Sequence, residues 1–155
     1  MNLEAKNVWQ VAAGNGNHTH YAGLCLKQNV VILGPGKYGA WPDCEKPMRK
    51  DGITSRQVGI VRKFAEDMKP GDFVVLRVGT QQVYGVGKLV GNYDWSEDFS
   101  DVQGWNLHHF WRVQWLWHQD GRPKTFPVYS LNLGNSVQKL TSPGVRQWLH
   151  SLDIK

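Results

Sequence analysis

Few cysteines and no long apolar runs distinguish this chain of 155 residues. Its two cysteines, Cys25 and Cys44, are too few for a disulfide scaffold, and we predict that both are free thiols. The longest apolar runs, such as "NVVILG" and "FVVLRV", are far too short to form a membrane-spanning helix. The opening "MNLEAKNVWQ" carries an acid and no apolar stretch, which predicts no signal peptide. These features argue against secreted and membrane proteins and favour a cytoplasmic one.

Motifs of metal-dependent and hydrolytic enzymes are also missing from the sequence. It contains no CxxC, no HExxH and no closely paired acids beyond the scattered Glu97, Asp98 and Asp101. Histidines do occur in groups of a kind found in metal sites: His18, His20, His108, His109 and His118. We therefore expect a binding protein without metal or cofactor, and a metal-dependent enzyme stays open as the weaker alternative.

Composition and charge point to a folded domain with an anionic partner. The chain is 41% hydrophobic and 20% charged, which is typical of a globular protein, and its length predicts one domain over residues 1–155. The net charge is +5 and the sequence pI is about 9.3. A basic balance of this size favours nucleic acid as the partner.

Hydrophobic periodicity predicts mainly strands, with a few helices. Thr54 and Gln57 have capping-box spacing, and apolar residues then recur on one helical face up to Met68. "DFVVLRVG" and "VYGVGKLVGNY" predict a hairpin, with glycines at Gly85, Gly87 and Gly91 that favour a small closed barrel. Further strands are predicted at 8–13, 30–34, "FWRVQWLWH" and "FPVYSL", and further helices at 20–29 and 142–152.

Five of the eight tryptophans lie between residues 91 and 122. Trp111, Trp115 and Trp117 alternate along a predicted strand with Val113, so we expect them to share one face in the core. Trp95 and Trp105 lie instead in a loop rich in Gly, Asp and Ser between strands. That position is compatible with ligand binding and equally with packing as a lid.

The order of these pieces resembles a known superfamily. "VWQVAAGNGN", "YAGLCLKQNVVILGPG", "FAEDMKPGDFVV", "YGVGKLVGNY" and "HHFWRVQWL" succeed one another as in PUA-like domains of the EVE and YTH-like branch. The resemblance covers roughly residues 8–118 and is strongest to the N-terminal specificity domains of modification-dependent, McrBC- and Mrr-like (type IV) restriction systems. It implies an α+β fold, in which a small barrel of about five to six strands is flanked by two to four helices.

The same resemblance implies a function. Such domains accept a flipped-out, modified base in an aromatic pocket, so we expect a non-catalytic reader of modified DNA, most readily of a methylated cytosine or adenine. Its partner would be a nuclease or NTPase subunit or domain. An RNA-binding module of the same superfamily is the main alternative, because basic charge and stacking faces also suit single-stranded RNA.

Two groups of candidate site residues follow. Aromatic side chains would enclose the base and polar ones would read its edge: Asn15, Tyr38, Trp41, Asp43, Trp95 and Trp105. Basic side chains would bind backbone phosphates: Lys37, Lys46, Arg49, Lys50, Arg56, Arg62 and Lys63. For Trp41 the alternative is a lid over the end of the barrel, and for "KPMRK" it is a solvated surface run.

Overall fold

The computed structural model describes residues 6–14, 21–79, 82–118, 124–125 and 136–152. Strands and helices follow one another in an α+β order, which confirms the predicted fold class. The elements are β1 (Val8–Ala12), α1 (Ala22–Gln28), β2 (Val30–Leu33), α2 (Glu45–Lys50), α3 (Ser55–Arg62), β3 (Phe73–Val78), β4 (Gln82–Trp95), β5 (His109–His118), β6 (Lys124–Thr125), β7 (Val137–Lys139) and α4 (Pro143–Ser151). A π-helical turn at Lys63–Asp67 extends α3, and a 3-10 turn at Glu97–Phe99 follows β4.

The strands form one mixed sheet in the order β2-β5-β4-β3-β1-β7, and β6 pairs with β4 outside this path. Strands β1 and β3 run parallel, and the other pairs are antiparallel. Among the described residues the terminal strands β2 and β7 do not pair with each other, so the sheet is barrel-like but open, and the expectation of a closed barrel is wrong. None of the described helices is long and apolar enough to cross a membrane.

The sheet buries side chains on both faces because its central strands alternate between two apolar clusters. In β3, Val74 and Leu76 belong to the larger cluster beneath α1, α2 and α3, whereas Phe73 and Val75 belong to the smaller one. Helix α4 covers the smaller cluster with Trp148 and other apolar residues. Successive side chains of a strand point to opposite faces of the sheet, so consecutive apolar residues can fill a core on each side.

Local signals for α3 are confirmed. The Thr54 hydroxyl accepts a hydrogen bond from the Gln57 amide at 3.2 Å, so the helix begins where the capping-box spacing predicts. Val58, Val61 and Phe64 are buried on one face. The predicted helices near residues 20–29 and 142–152 are also present, whereas the strand predicted at "FPVYSL" lies outside the described residues.

One prediction about the tryptophan stripe is wrong. Trp111 is 2% exposed and packs in the larger cluster with Val113, and Trp115 packs against it. Trp117 packs instead against the smaller cluster, where it meets Trp148 edge-on at 6.3 Å. The cause is a register shift: Val86 pairs with Trp117, but the next residue, Gly87, pairs with Trp115. A bulge of this kind reverses the side to which later residues point.

A second irregularity lies in β4. Val90 pairs with Arg112 and Asp94 pairs with Phe110, so three residues of β4, 91–93, lie opposite one residue of β5. Gly91 has φ of 71°, a conformation in which other residues are strained. The bend aims Tyr93 at His109 of β5 and at the loop that follows β2.

Candidate nucleic-acid interface

The loop after β2 lies close against the segment before β5. The Asn106 side-chain oxygen accepts hydrogen bonds from the Gly36 amide at 2.7 Å and the Lys37 amide at 3.2 Å. A Cβ atom on Gly36 would lie 2.5 Å from the backbone nitrogen of His108, and one on Gly34 would lie 2.5 Å from the Asn106 carbonyl oxygen. The two glycines therefore permit an approach that a side chain would block.

A series of hydrogen bonds through His109 and Tyr93 also holds this loop. His109 Nε2 lies 3.2 Å from the Pro35 carbonyl oxygen, which only accepts, so Nε2 carries the proton. Nδ1 is then an acceptor for the Tyr93 hydroxyl at 2.6 Å, and that hydroxyl accepts from the Trp41 amide at 3.0 Å. Burial lowers the pKa of His109 to about 4 and raises the pKa of Tyr93 to about 12. Both groups are neutral at physiological pH and hold the loop by hydrogen bonds rather than by charge.

Trp95 connects the loop to the end of β4. Its indole nitrogen donates to the Gly36 carbonyl at 2.7 Å, and its ring stacks on His108 at 4.7 Å with an interplanar angle of 6°. His108 Nε2 lies 3.6 Å from a Glu97 carboxylate oxygen. One face of Trp95 is therefore covered by protein, and its polar atom is already bonded.

Trp105 differs from the other candidate aromatic residues because it is 39% exposed. It follows a tight turn in which Gln103 and Gly104 have φ of 55° and 89°, and Val102 and Trp105 exchange two backbone hydrogen bonds of 2.8 and 3.0 Å. Positive φ at both central residues is the mark of a type I′ turn, a conformation that suits Gly104. Tyr21 meets the indole at 5.8 Å and an interplanar angle of 82°. The turn thus holds a large apolar ring at the surface.

The four predicted aromatic residues contact different partners: Tyr38 contacts Asp51, Trp41 contacts Glu66, Trp95 contacts Gly36 and Trp105 contacts Tyr21. The Tyr38 hydroxyl donates to the Asp51 carboxylate, and the Trp41 indole nitrogen donates to Glu66. Trp41 is half-buried and packs against the larger cluster, as the lid alternative requires. Asp43 is exposed in the turn before α2, and Asn15 lies outside the described residues. A single cage made of all these side chains stays a prediction.

Of the grouped histidines, the structure describes the side chains of His108 and His109. His108 lies just before β5 and His109 is its first residue, and their rings contact different partners, Trp95 and Tyr93. Among the described residues no group of three or more His, Cys, Asp and Glu side chains could hold a metal ion. His18 and His20 lie outside those residues, and the side chain of His118 is not described either.

Both cysteines are buried and free, as predicted. Burial raises the pKa of Cys25 to about 12 and that of Cys44 to about 11. Neither thiol is therefore an ionised nucleophile at neutral pH.

The predicted phosphate contacts fall within one stretch of the sequence. Residues 37–69 contain eight Lys and Arg against five Asp and Glu, a net charge of +3 out of the chain's +5. Arg49 pairs with Glu45 at 3.0 Å, and Arg62 lies 3.4 Å from Asp67, both at exposed positions where ion pairs contribute little. The basic candidates are largely exposed, with Lys63 half-buried: Lys37, Lys46, Arg49, Lys50, Arg56, Arg62 and Lys63.

Two clefts lie away from this stretch, beside Arg112. One, of about 520 Å³, is lined by residues from α1, β4 and β5 that include Arg112 and Trp115. The other, of about 300 Å³, reaches Trp95 and the 3-10 turn. Except for Trp95, neither contains a side chain that the sequence predicted as part of the site.

Sequence patterns do not predict the residues that hold the loop after β2 and the Trp105 ring in place: Tyr21, Gly36, Tyr93, Asn106, His108 and His109. The pair "HH" indicates a metal candidate in the sequence. Strand alternation alone predicts different partners for its two rings, which is the available signal.

Residues 9–142 of the chain match the family model described as a domain of unknown function, DUF8426, and the chain belongs to that family. No curated protein matches it. Among solved structures it is similar to the YTH domain of the Zygosaccharomyces rouxii MRB1 protein in complex with N6-methyladenosine RNA. That match has 14% identity and a TM-score of 0.42, and it covers 95% of this chain and 86% of the other. The protein Atu2648 from Agrobacterium tumefaciens is similar at 14% identity and a TM-score of 0.41, with 94% of each chain covered.

Proposed function

We propose that this protein is a non-catalytic DNA-binding domain that holds a modified base, extruded from the duplex, against Trp105. The observation that carries the proposal is the exposure of that indole, 39%, on a tight turn beside a rigidly held loop. Val90 is the other large hydrophobic side chain that is exposed among the described residues. An exposed tryptophan with fixed support is the kind of surface on which a base stacks.

The surroundings of Trp105 suit this task. Tyr21 packs perpendicular to the indole and so supports it without lying parallel over its face. Extracting a base from a duplex costs a few kcal/mol, and stacking on an aromatic side chain recovers about 1–3 kcal/mol per base. The Tyr21 hydroxyl donates to the Ala12 carbonyl at 3.3 Å, so this support is tied to the sheet itself.

Charge supports a nucleic-acid ligand. The excess of +3 over residues 37–69 begins in the loop that Asn106, the residue after Trp105, holds through the Lys37 amide. Lys and Arg side chains there would bind phosphates and orient the duplex without reading its sequence. With three to six phosphates neutralised, the logarithm of the affinity should fall with the logarithm of the salt concentration with a slope of about −3 to −5.

Preference for a methylated cytosine or adenine is the finer part of the proposal. A methyl group in a small apolar gap contributes about 0.8 kcal/mol, and discrimination for one methyl should reach about 1–3 kcal/mol. The sequence resemblance to specificity domains of restriction systems supports DNA as the ligand and a nuclease or NTPase as the partner, in the cytoplasm. An RNA-binding role is the alternative that the experiment must separate.

The test compares binding of one labelled sequence as plain, methylated and hydroxymethylated duplex DNA and as matched RNA. We expect methylated DNA to bind best and a 2-aminopurine reporter next to the target base to brighten as that base leaves the stack. Trp105→Ala should lower the affinity about 5- to 150-fold, which corresponds to the loss of one stacked base. Val90→Ala is the matched control because it removes the other exposed apolar side chain.

Three results would contradict the proposal in different ways. Equal affinity for all duplexes, with no change in fluorescence, would refute the modified-base preference. Tighter binding to the RNA would favour the RNA-binding alternative. Unchanged affinity of Trp105→Ala would show that the base does not stack there.

A further inference from the structure

A separate open groove lies between the loop after β2 and helix α2. Its volume is about 370 Å³, and its lining comes from both sides: Lys37, Tyr38, Pro47, Lys50 and Asp51. The sequence placed Tyr38 in the base pocket with the tryptophans. The structure places it in this groove, whereas Trp105 and Trp95 are not among the lining residues.

Tyr38 is held in place as the wall of the groove. Its hydroxyl donates to the Asp51 carboxylate, and this bond is the main reason that the pKa of Tyr38 is raised. The phenol therefore stays protonated as a donor, and one oxygen of Asp51 is occupied by it. The bond joins the loop to the end of α2 and fixes the orientation of the ring.

The charges of the groove favour an anion. Lys37 Nζ lies 5.3 Å from the centre of the Tyr38 ring, and Lys50 lines the opposite side. Two lysines line the groove with a single carboxylate, that of Asp51, which already accepts a hydrogen bond. Tyr38 and Pro47 add apolar surface beside these cations. One anionic group joined to a flat or apolar body matches this combination, and a nucleotide unit has that chemistry.

The groove is physically coupled to the Trp105 turn. Asn106, the residue after Trp105, accepts hydrogen bonds from the amides of Gly36 and Lys37 through one side-chain oxygen. Lys37 is thus tied to the turn by its backbone and contributes its side chain to the groove. The segment that contains Trp105 and the loop that contributes Lys37 to the groove are therefore adjacent.

We infer that the groove is a second subsite for the same DNA strand, in which the nucleotide next to the stacked base binds. Its phosphate lies between Lys37 and Lys50, and its sugar and base lie against Tyr38 and Pro47. The inference rests on the proposed function, because it takes the strand on Trp105 as its starting point. It extends that function from one base to two adjacent nucleotides.

Binding of the methylated duplex to matched variants tests the charges of the groove. The double variant Lys37→Ala/Lys50→Ala should lose at least about fivefold in affinity, and its salt slope should become shallower by about 0.7–0.9 for the one phosphate released. Lys88→Ala/Lys139→Ala removes two exposed lysines of the sheet and serves as the control of equal charge. Thermal melting of both double variants verifies that they are folded.

An abasic spacer tests the adjacent nucleotide. In two separate duplexes, the spacer replaces the nucleotide on one side or on the other side of the modified base. Only one of these two duplexes should bind the wild-type protein more weakly. The same spacer should cost nothing further in Tyr38→Ala, because the stacking wall is already gone. A Lys37→Ala/Lys50→Ala protein that behaves like the lysine control, or an equal spacer penalty in wild type and Tyr38→Ala, would overturn the subsite.

Failure of the subsite and failure of the proposed function are distinguishable. If Trp105→Ala weakens binding and the groove variants do not, the stacking site stands and the second subsite is wrong. If the groove variants weaken binding and Trp105→Ala does not, the groove is supported as a phosphate and base subsite, and the stacking role of Trp105 is refuted.

Discussion

Acidification should destabilise this fold through His109, because the protein holds that imidazole neutral. The side chain is completely buried, and burial is the main reason that its pKa falls to about 4. Both ring nitrogens are engaged, Nε2 as donor to Pro35 and Nδ1 as acceptor from Tyr93. A second proton on Nδ1 would remove this acceptor and introduce a buried charge.

The magnitude follows from the pKa difference between the unfolded and folded chains. Histidine in an unfolded chain titrates near 6.5, so between about pH 6.5 and 4 the unfolded chain binds a proton that the folded chain does not. The free energy of unfolding must therefore fall as the pH falls through this window, and the full stability is present above it. At about 1.4 kcal/mol per pKa unit, a shift from 6.5 to about 4 corresponds to on the order of 3 kcal/mol.

Denaturant unfolding between pH 4.5 and 7.5 measures this loss. Carboxylates also titrate at the acid end, so the informative quantity is the difference between the wild type and His109→Gln, whose amide can still accept and donate. We expect the wild type to lose about 2–3 kcal/mol more than His109→Gln over this range. His150→Gln, at the exposed end of α4, should follow the wild type. Parallel curves for the wild type and His109→Gln would refute the reasoning.

Two further substitutions test the packing that supports the site. Gly36→Ala should cost about 1–3 kcal/mol, because its Cβ would lie 2.5 Å from both the backbone nitrogen and Nδ1 of His108, whereas Gly59→Ala, with open space around it in α3, should stabilise by about 1 kcal/mol. Opposite shifts in thermal melting are expected, and equal shifts would contradict the close approach. Trp111→Ala should cost about 3–5 kcal/mol because the ring is 2% exposed and its nitrogen donates to the Phe64 carbonyl at 2.8 Å. Trp111→Phe should lose less, and a Trp111→Ala protein as stable as the wild type would argue against a core role.

The predictable parts of the fold are those specified by neighbouring residues. Alternation in "FVVLRV" identifies β3, and the Thr54–Gln57 spacing identifies the start of α3, because both signals act within one or two turns of chain. The α+β class follows from the same local periods. The strand register does not follow from local periods. The shifts at Val86/Gly87 and Val90/Asp94 depend on how β4 pairs with β5, which comes later in the chain. Alternation alone therefore predicts the wrong cluster for Trp117.

The site was less predictable than the fold for a related reason. Aromatic residues in loops predict a cage, but the polar ring atoms of Tyr38, Trp41 and Trp95 each donate to an acceptor that only the folded chain brings near. Trp41 meets Glu66 of the π-helical turn, and Trp95 meets the Gly36 carbonyl, 59 positions away. Composition indicated which side chains were available for stacking, whereas exposure distinguishes Trp105 from those with covered faces or bonded nitrogens.

In the proposed function, rigid support would allow a small exposed surface to be selective. The loop at 35–41 is held by Asn106, Trp95, Tyr93 and His109, which bond its backbone at five points between Pro35 and Trp41. The entropy of ordering this loop is lost when the chain folds, so it need not be lost again when a strand binds. A difference of one methyl contributes only about 1–3 kcal/mol, and a mobile loop could absorb it by rearrangement. A loop fixed by buried neutral hydrogen bonds can instead turn a small misfit into lost affinity, which is the physical requirement for reading a modified base.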